Sequence, residues 1–484
     1  MLLLLRAIYT KLSAQDNPSE EIDEQLKKIQ TTLWRRISKG KSDVDYTQNF
    51  IRSECIDDGY KAELQLILES GKPIPKSDSL YTKNYKLLQK RYNKLYTEDQ
   101  TTAEWMAYYL LEQVIVFSIE AKTQDAALTI FSTINNRGKS LTDMDIIRAK
   151  IYGFLSNAEK PKFNAVWRKL IDCMIYIDEK SENVFTYYMY YVRAMNDDDD
   201  STMPGLKKYF SQNNSERLRD KNILATLEQI INLWTVANKH IGIDGEPWSK
   251  DVEIIKIFDM LLPFPNKAWR GAATVYYLVH RNEPNFARNF RLFMRKLFAW
   301  YVPLYILRPE RALIRGYIVK LDVAIKNSNH PKFDFPAEDD RNRLKKLMIY
   351  TSYSVIRKLL LKAAAYSFSE QTELLPNDFQ TEHIMPKEWE STYSRRGYAE
   401  GKFNEYLEQF GNFSAVEPKI NKKASNKSFC DKKKIYKHSV IAMTRALIDE
   451  PDDWTPDSIV VRSNKIAESL IDLWQQWSDE YDDN

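Results

Sequence analysis

Apolar positions recur at helical spacing along most of the chain. In residues 83–96 and 103–119, aromatic and aliphatic side chains return every three to four positions, as on one face of an amphipathic helix. The same pattern runs from about residue 160 to 345 and returns in residues 440–477. We interpret the aromatic residues between positions 185 and 191 as core rather than as a surface that stacks on bases, because their spacing is helical. The pattern predicts a mainly α-helical protein.

Composition supports this prediction and narrows the class of protein. Only 13 of the 484 residues are glycine, less than half of the usual share of roughly 7%. Hydrophobic and charged fractions of 43% and 29% fit a folded globular chain, with room for about two or three domains. The formal net charge of +4 is too small to indicate nucleic acid by itself, so a DNA-binding surface must come from local clustering.

The cysteines and the apolar runs indicate the compartment. Three widely spaced cysteines fit neither a disulfide framework nor a zinc site, which favours a reducing environment. The four leucines at positions 2–5 are too few for the core of a signal peptide. No later run reaches the length of about 18 apolar residues that a membrane span needs. We therefore expect a cytoplasmic protein without a membrane partner.

Residues 1–12 predict a helix that is apolar almost all round. Chain termini usually lie at the surface. We therefore expect that a segment which normally precedes this helix is missing, and that the helix is poorly supported.

Residues 125–153 contain a helix end followed by a helix start. Asn136, Arg137 and Gly138 stand where an apolar helix ends, and glycine suits the left-handed position after a helix. Thr142 and Asp145 have the spacing of a capping box for the next helix. On these residues alone, a plain helix–turn–helix connector is one interpretation.

Among the five histidines, His383 has neighbours suited to phosphodiester chemistry. Glu382 precedes it, and Asn412 and Asn421 follow downstream on the way to a basic segment. Histidine can take a proton from water at neutral pH. Carboxylate and amide oxygens suit Mg²⁺ or Mn²⁺. We interpret His383 as a general base, and Glu382 and Asn421 as metal ligands.

Residues 419–437 are strongly basic, with eight lysines and the single acidic residue Asp431. Such a cluster favours binding to a phosphate backbone, and a solvated helical face is the alternative. The predicted DNA-binding residues are Lys422, Lys423, Asn426, Lys427 and Lys432.

Residues 341–478 resemble the C-terminal nuclease domain of the GmrSD-type modification-dependent restriction endonucleases, a branch of the HNH (His-Me finger, ββα-metal) superfamily. The matching pieces are residues 382–386, 411–413 and 421–429, together with Lys432. The resemblance implies a small ββα-metal finger embedded in a C-terminal helical domain. It also implies a catalytic set in which His383 is the base on the first strand, Asn412 fixes the loop, and Asn421 begins the metal-holding helix.

Residues 1–153 are similar to the second half of the N-terminal domain of the same enzymes, which has a ParB-like core. The residues that carry this similarity include Asn135, Arg137, Gly138 and Asp145. The family's Asp-Gly-Gln-Gln-Arg turn is absent from the sequence, so NTP hydrolysis is not carried over. The expected domains are a truncated ParB-like domain (1–160), a helical middle region (161–340) and an HNH-like nuclease domain (341–484).

These observations together predict a metal-dependent DNA endonuclease of a bacterial anti-phage restriction system. Its expected substrate is double-stranded DNA, including modified phage DNA, and its expected cofactor is Mg²⁺ or Mn²⁺. The alternative is a truncated, inactive remnant that acts as a helical DNA-binding or interaction protein. Two kinds of protein partner stay open, a second copy of the same chain in a homo-oligomer and a separately encoded N-terminal half.

Overall fold

The protein consists mainly of helices, as predicted. A computed structural model of the chain describes residues 1–38, 43–50, 58–77, 79–115, 130, 142–333, 340–389 and 400–483. The chain divides into two compact units, Met1–Ala127 and Leu128–Asn484. The domain boundaries predicted at residues 160 and 340 stay predictions. None of the described helices is both long and apolar enough to cross a membrane.

The first unit combines helices with a short antiparallel pair of strands. Its described elements are α1 (Leu2–Leu12), α2 (Glu20–Leu33), β1 (Trp34–Arg36), β2 (Val44–Asn49), α3 (Asp58–Ser70), α4 (Leu80–Glu98) and α5 (Gln100–Tyr108). A π-helical turn, Tyr109–Gln113, continues α5.

Helix α1 lies inside the core of this unit. Leu5, Ile8 and Leu12 are fully buried and pack against apolar side chains of α2, α3 and α4. Arg6 Nε donates to a main-chain carbonyl of α3 at 2.6 Å. The expectation that residues 1–12 are poorly supported is therefore wrong, because three neighbouring helices cover their apolar side chains.

The second unit begins with a series of packed helices. They are α6 (Asp143–Phe154), α7 (Lys160–Tyr176), α8 (Ser181–Met195), α9 (Leu206–Ser211), α10 (Ile223–Lys239), α11 (Val252–Leu261), α12 (Trp269–His280), α13 (Phe286–Leu307) and α14 (Arg311–Asn327). On α8, Phe185, Tyr187, Tyr188 and Tyr190 are buried in their common core. The interpretation of these aromatics as core is confirmed.

Helix α6 begins with the predicted cap. The Thr142 hydroxyl oxygen accepts from Asp145 N at 3.2 Å, and Thr142 N donates to Asp145 Oδ2 at 2.9 Å. This reciprocal pair satisfies two main-chain donors at the helix start. The other predicted motif residues, Asn135, Arg137 and Gly138, lie outside the described residues.

The end of the second unit holds a small two-stranded sheet among helices. Its described elements are α15 (Arg341–Ile349), α16 (Ser354–Tyr366), β3 (Gln380–His383), α17 (Glu400–Leu407), β4 (Phe413–Val416), α18 (Pro418–Ala424), α19 (Phe429–Tyr436), α20 (Ala442–Arg445) and α21 (Pro456–Asp482). Strands β3 and β4 are antiparallel, with His383 opposite Phe413. Helix α18 follows β4 almost immediately.

Helix α21 packs along α13 and α15 and also reaches the turn before β4. A Cβ atom on Gly411 would lie only 2.2 Å from Ile459 O, so this position needs glycine. Gly411 N donates to Ser463 Oγ at 2.8 Å. Arg462 Nη1 donates to Gly411 O at 2.6 Å and to Phe413 O at 2.8 Å. One helix therefore fixes the main chain where β4 begins.

Candidate active site

The side chains of Glu382 and His383, consecutive residues of strand β3, lie in different surroundings. Successive side chains of a strand point to opposite faces. The His383 ring packs edge-on against the Phe413 ring of β4, with 4.7 Å between the ring centroids. The Glu382 carboxylate instead meets side chains of α19. The two residues are neighbours in the sequence but face different groups.

His383 lies beside a carboxylate that approaches it from outside the strand pair. Its Nε2 atom is 3.4 Å from Glu408 Oε1, and its side chain is 19% exposed. Burial lowers the pKa of His383 to about 4, although the charge of Glu408 acts in the opposite direction. The imidazole is therefore neutral at pH 7 and able to accept a proton.

Glu408 is surrounded by positive charge. Arg357 Nη2 lies 3.3 Å from Glu408 Oε2, and Lys387 Nζ lies 3.7 Å from Glu408 Oε1. Burial opposes ionisation of Glu408, but His383, Lys387 and Arg357 hold the pKa of its carboxyl below the ordinary value. The Arg357 guanidinium also lies over the Phe413 ring, 4.0 Å from its centroid. Glu408 is therefore a stable anion that can orient the imidazole.

Glu382 belongs to a buried polar cluster with α19. Its Oε1 atom accepts from Lys432 Nζ at 2.7 Å and from Tyr436 OH at 2.8 Å. Lys432 Nζ also donates to His383 O at 2.6 Å. Burial raises the pKa of Glu382 and lowers the pKa of Lys432, and the contact between the two groups opposes both shifts.

Asn412 connects the segments on either side of the site. Its Oδ1 atom accepts from Met385 N at 2.8 Å. Its Nδ2 atom donates to Met385 O and to Leu407 O, both at 3.0 Å. The side chain is fully buried, so it holds the chain that follows His383 and does not reach a substrate. These contacts agree with the expected role of Asn412, which was to fix the loop, and its part in catalysis stays a prediction.

Two family models match the chain and together cover more than half of it. The model of the C-terminal domain of GmrSD restriction endonucleases matches residues 336–469, and that of the GmrSD N-terminal domain matches residues 1–152. The chain belongs to the GmrSD restriction endonucleases. A search of curated proteins finds no match. The GmrSD C-terminal match contains every residue of the site described above, from Arg357 to Tyr436.

The two predicted metal ligands, Glu382 and Asn421, have different partners in the structure. Glu382 Oε1 accepts from the Lys432 ammonium, whose positive charge opposes binding of a metal cation at the same carboxylate. Asn421 Nδ2 donates to Gln380 Oε1 at 2.7 Å. Within the described parts of the chain, no group of three or more His, Cys, Asp and Glu side chains is arranged to hold a metal ion. The ion pair with Lys432 therefore argues against ligation by Glu382, and ligation by Asn421 stays a prediction.

Most of the predicted DNA-binding residues of this GmrSD domain share an exposed surface. Lys422, Lys423 and Lys427 are exposed on α18 and the turn after it. Asn426 is exposed as well, and its Nδ2 atom donates to Glu388 Oε2 at 2.7 Å. Lys432 is an exception, because its side chain is only 1% exposed. Its predicted contact with DNA is wrong for this fold.

Sequence reasoning missed the three residues around the imidazole. Arg357 and Glu408 lie about 25 positions before and after His383, on segments without a motif of their own. Lys387 follows the recognised motif directly, so its proximity to the site was the one available signal. The fold of the GmrSD domain brings these three residues close to His383, and their residue types alone do not predict that proximity.

Proposed function

We propose that this GmrSD family member is a DNA endonuclease of a bacterial phage restriction system, with His383 as the general base. The observation behind this proposal is the neutral, partly exposed imidazole of His383, which lies 3.4 Å from the Glu408 carboxylate. Both residues lie within the segment that matches the C-terminal domain of GmrSD restriction endonucleases. Modified phage DNA is the proposed substrate, and the cytoplasm is the proposed place of action.

The proposed reaction is hydrolysis of a phosphodiester bond. His383 takes a proton from water as the water oxygen attacks phosphorus, and the bond from phosphorus to the departing sugar oxygen breaks. The negative charge of Glu408 stabilises the imidazolium that forms. The exposed lysines Lys422, Lys423 and Lys427 are proposed to hold the DNA backbone.

Membership of the ββα-metal (HNH) group is also part of the proposal. The antiparallel pair β3–β4, whose strands are separated in the chain by α17, and the helix α18 after β4 support this proposal. A Mg²⁺ or Mn²⁺ requirement is proposed from the family resemblance alone, and no step above depends on it.

The test compares cleavage of supercoiled plasmid by the wild-type protein, His383→Ala and His438→Ala, with Mg²⁺, with Mn²⁺ and with a chelator. We expect His383→Ala to lower the cleavage rate by about 100-fold or more, with an unchanged circular dichroism spectrum. His438 is an exposed histidine of the same domain and serves as the matched control. Modified and unmodified DNA of one sequence would test the substrate.

Undiminished cleavage by His383→Ala would exclude this histidine as the base. A wild-type protein that binds DNA but cleaves it under none of these conditions would favour the alternative, a non-enzymatic DNA-binding protein.

A further inference from the structure

A single buried ammonium group joins helix α19 to strand β3. Lys432 Nζ donates to Glu382 Oε1 at 2.7 Å and to His383 O at 2.6 Å. The Lys432 and Glu382 side chains are 1% and 5% exposed. Tyr436, one turn further along α19, donates to the same Glu382 oxygen at 2.8 Å. These contacts link α19 to the main chain of the histidine at the centre of the site.

We propose that Lys432 is a positioning residue for His383, and that its ammonium, rather than a metal ion, is the charge partner of Glu382. This inference rests on the proposed function for its effect on cleavage. The ion pair and its bond to His383 O stand on the geometry alone.

The bond to His383 O acts on the strand rather than on the imidazole ring. It holds the main chain directly beside the Cα atom from which the ring projects. A loss of this bond frees β3 to move against α19, and a displacement of about 1 Å at a reacting group can lower a rate by roughly 100-fold.

Helix α19 holds Lys432 in a defined place. Ser428 is the N-cap residue of this helix, and its Oγ atom accepts from Asp431 N at 3.3 Å. Lys432 lies between Phe429 and Tyr436 on the buried face of this helix. Its ammonium therefore approaches β3 from a capped helix and not from a mobile surface chain.

The charge balance explains why Glu382 keeps this partner. A buried carboxylate is strongly unfavourable unless an opposite charge and hydrogen bonds compensate it. Lys432 and Tyr436 supply both. If a divalent cation bound Glu382 in place of the ammonium, Lys432 would stay buried without its ion-pair partner. An unpaired buried charge is energetically unfavourable.

The first experiment separates the ion pair from metal ligation. The amide oxygen of Glu382→Gln can still accept from Lys432, so we expect Mn²⁺ affinity close to wild type, although the protein loses stability because the buried ammonium loses its ion-pair partner. Mn²⁺ binding is measured by electron paramagnetic resonance on the full chain. A fall in Mn²⁺ affinity of about 10-fold or more, the size expected when a metal site loses a supporting group, would overturn the assignment of Glu382 to Lys432.

The second experiment tests the positioning role. We expect Lys432→Met to lower kcat by about 100-fold, while the affinity for plasmid DNA and its salt dependence stay unchanged. A lysine that contacted a phosphate would reduce the slope of log K against log salt by about 1. Lys434→Met, an exposed lysine on the same helix, is the matched control and should keep the wild-type kcat.

A charge-neutral double variant covers the case in which Lys432→Met fails to fold around an unpaired Glu382. Glu382→Gln combined with Lys432→Met leaves no buried charge in the cluster. We expect this variant to melt near the wild-type temperature but to keep the low kcat, because the donor to His383 O is still missing. Wild-type kcat in the folded double variant would refute positioning by Lys432.

A readout without cleavage distinguishes failure of this inference from failure of the proposed function. Selective ¹³C labelling of histidine gives five ring signals, since the chain has five histidines. We expect the double variant to shift the His383 signal and Lys434→Met to leave it in place. An unshifted His383 signal in the folded double variant counts against the positioning role, whether or not the protein cleaves DNA.

Discussion

The side-chain amide of Asn412 binds both main-chain polar groups of Met385. Its Oδ1 atom accepts from Met385 N at 2.8 Å, and its Nδ2 atom donates to Met385 O at 3.0 Å. This pairing fixes the segment that leaves the candidate base.

Replacing this amide by a carboxylate should destabilise the protein strongly. In Asn412→Asp, the carbonyl oxygens of Met385 and Leu407 lose their donor and face a second oxygen. We expect the free energy of unfolding to fall by about 3 kcal/mol or more, because buried polar groups lose their partners. Urea denaturation measures the loss. Asn421→Asp is the control, because Asn421 makes an exposed hydrogen bond, and an equal loss there would contradict the positioning role of Asn412.

Stability should depend on pH through His383. Burial lowers its pKa to about 4 in the folded protein, against about 6.5 when unfolded. Between these values the unfolded chain binds a proton that the folded chain does not, so stability rises with pH. The contribution is fully present above pH 6.5 and is lost as the pH falls towards 4, by roughly 3 kcal/mol.

Denaturation curves of the wild type and of His383→Gln, recorded at pH 7 and at pH 4.5, check this sign. The variant should lack this part of the pH dependence, whereas His438→Gln should keep it. If the contribution of His383 to the free energy of unfolding increased as the pH falls, the imidazole would not be buried and neutral as described.

Glu408 should set the basicity of His383. Its negative charge acts to raise the pKa of His383, so Glu408→Gln should lower that pKa further and slow cleavage by roughly tenfold through a weaker base. Ring signals of ¹³C-labelled histidine followed against pH measure the first effect, and plasmid cleavage measures the second. Glu405→Gln, an exposed glutamate on α17, should change neither. A raised pKa in Glu408→Gln would exclude this role.

The exposed lysines of α18 should contribute to DNA affinity in a salt-dependent way. Removing Lys422 and Lys423 together should lower the slope of log K against log salt by roughly 2, if each neutralises one phosphate. Fluorescence anisotropy with labelled duplex DNA over a salt series measures the slope. Lys207→Ala with Lys208→Ala, another adjacent exposed pair, provides the control. Equal slopes in both double variants would exclude this surface as the DNA contact.

Local patterns in the sequence were sufficient for the helices and for one cap. Helical periodicity predicted the helical class, and the spacing of Thr142 and Asp145 predicted the start of α6, because these features depend on residues close together in the chain. Glu408 was not predictable in the same way. Only the folded arrangement of β3 with the segment after α17 brings its carboxylate to His383.

The burial of Lys432 was missed because lysine is rarely buried without a partner. A run of lysines therefore suggested one continuous surface. The helical spacing did contain the signal, since Lys432 lies three positions after Phe429 and four before Tyr436, and both aromatics are buried. In such a segment the period of the helix is a better guide than the charge of the residue.

Helix α21 connects the helices of the predicted middle region directly to the turn before β4. The predicted division into a middle region and a nuclease region does not suggest this connection. At one end of this helix, Trp474 packs on Phe298 of α13, with 6.0 Å between their ring centroids. At the other end, Ser463 touches the main chain of Gly411, directly before Asn412. Residues 341–484 expressed without the helices that α21 packs against would expose an apolar face, and a shift of those helices would be transmitted to the turn at Gly411 before β4.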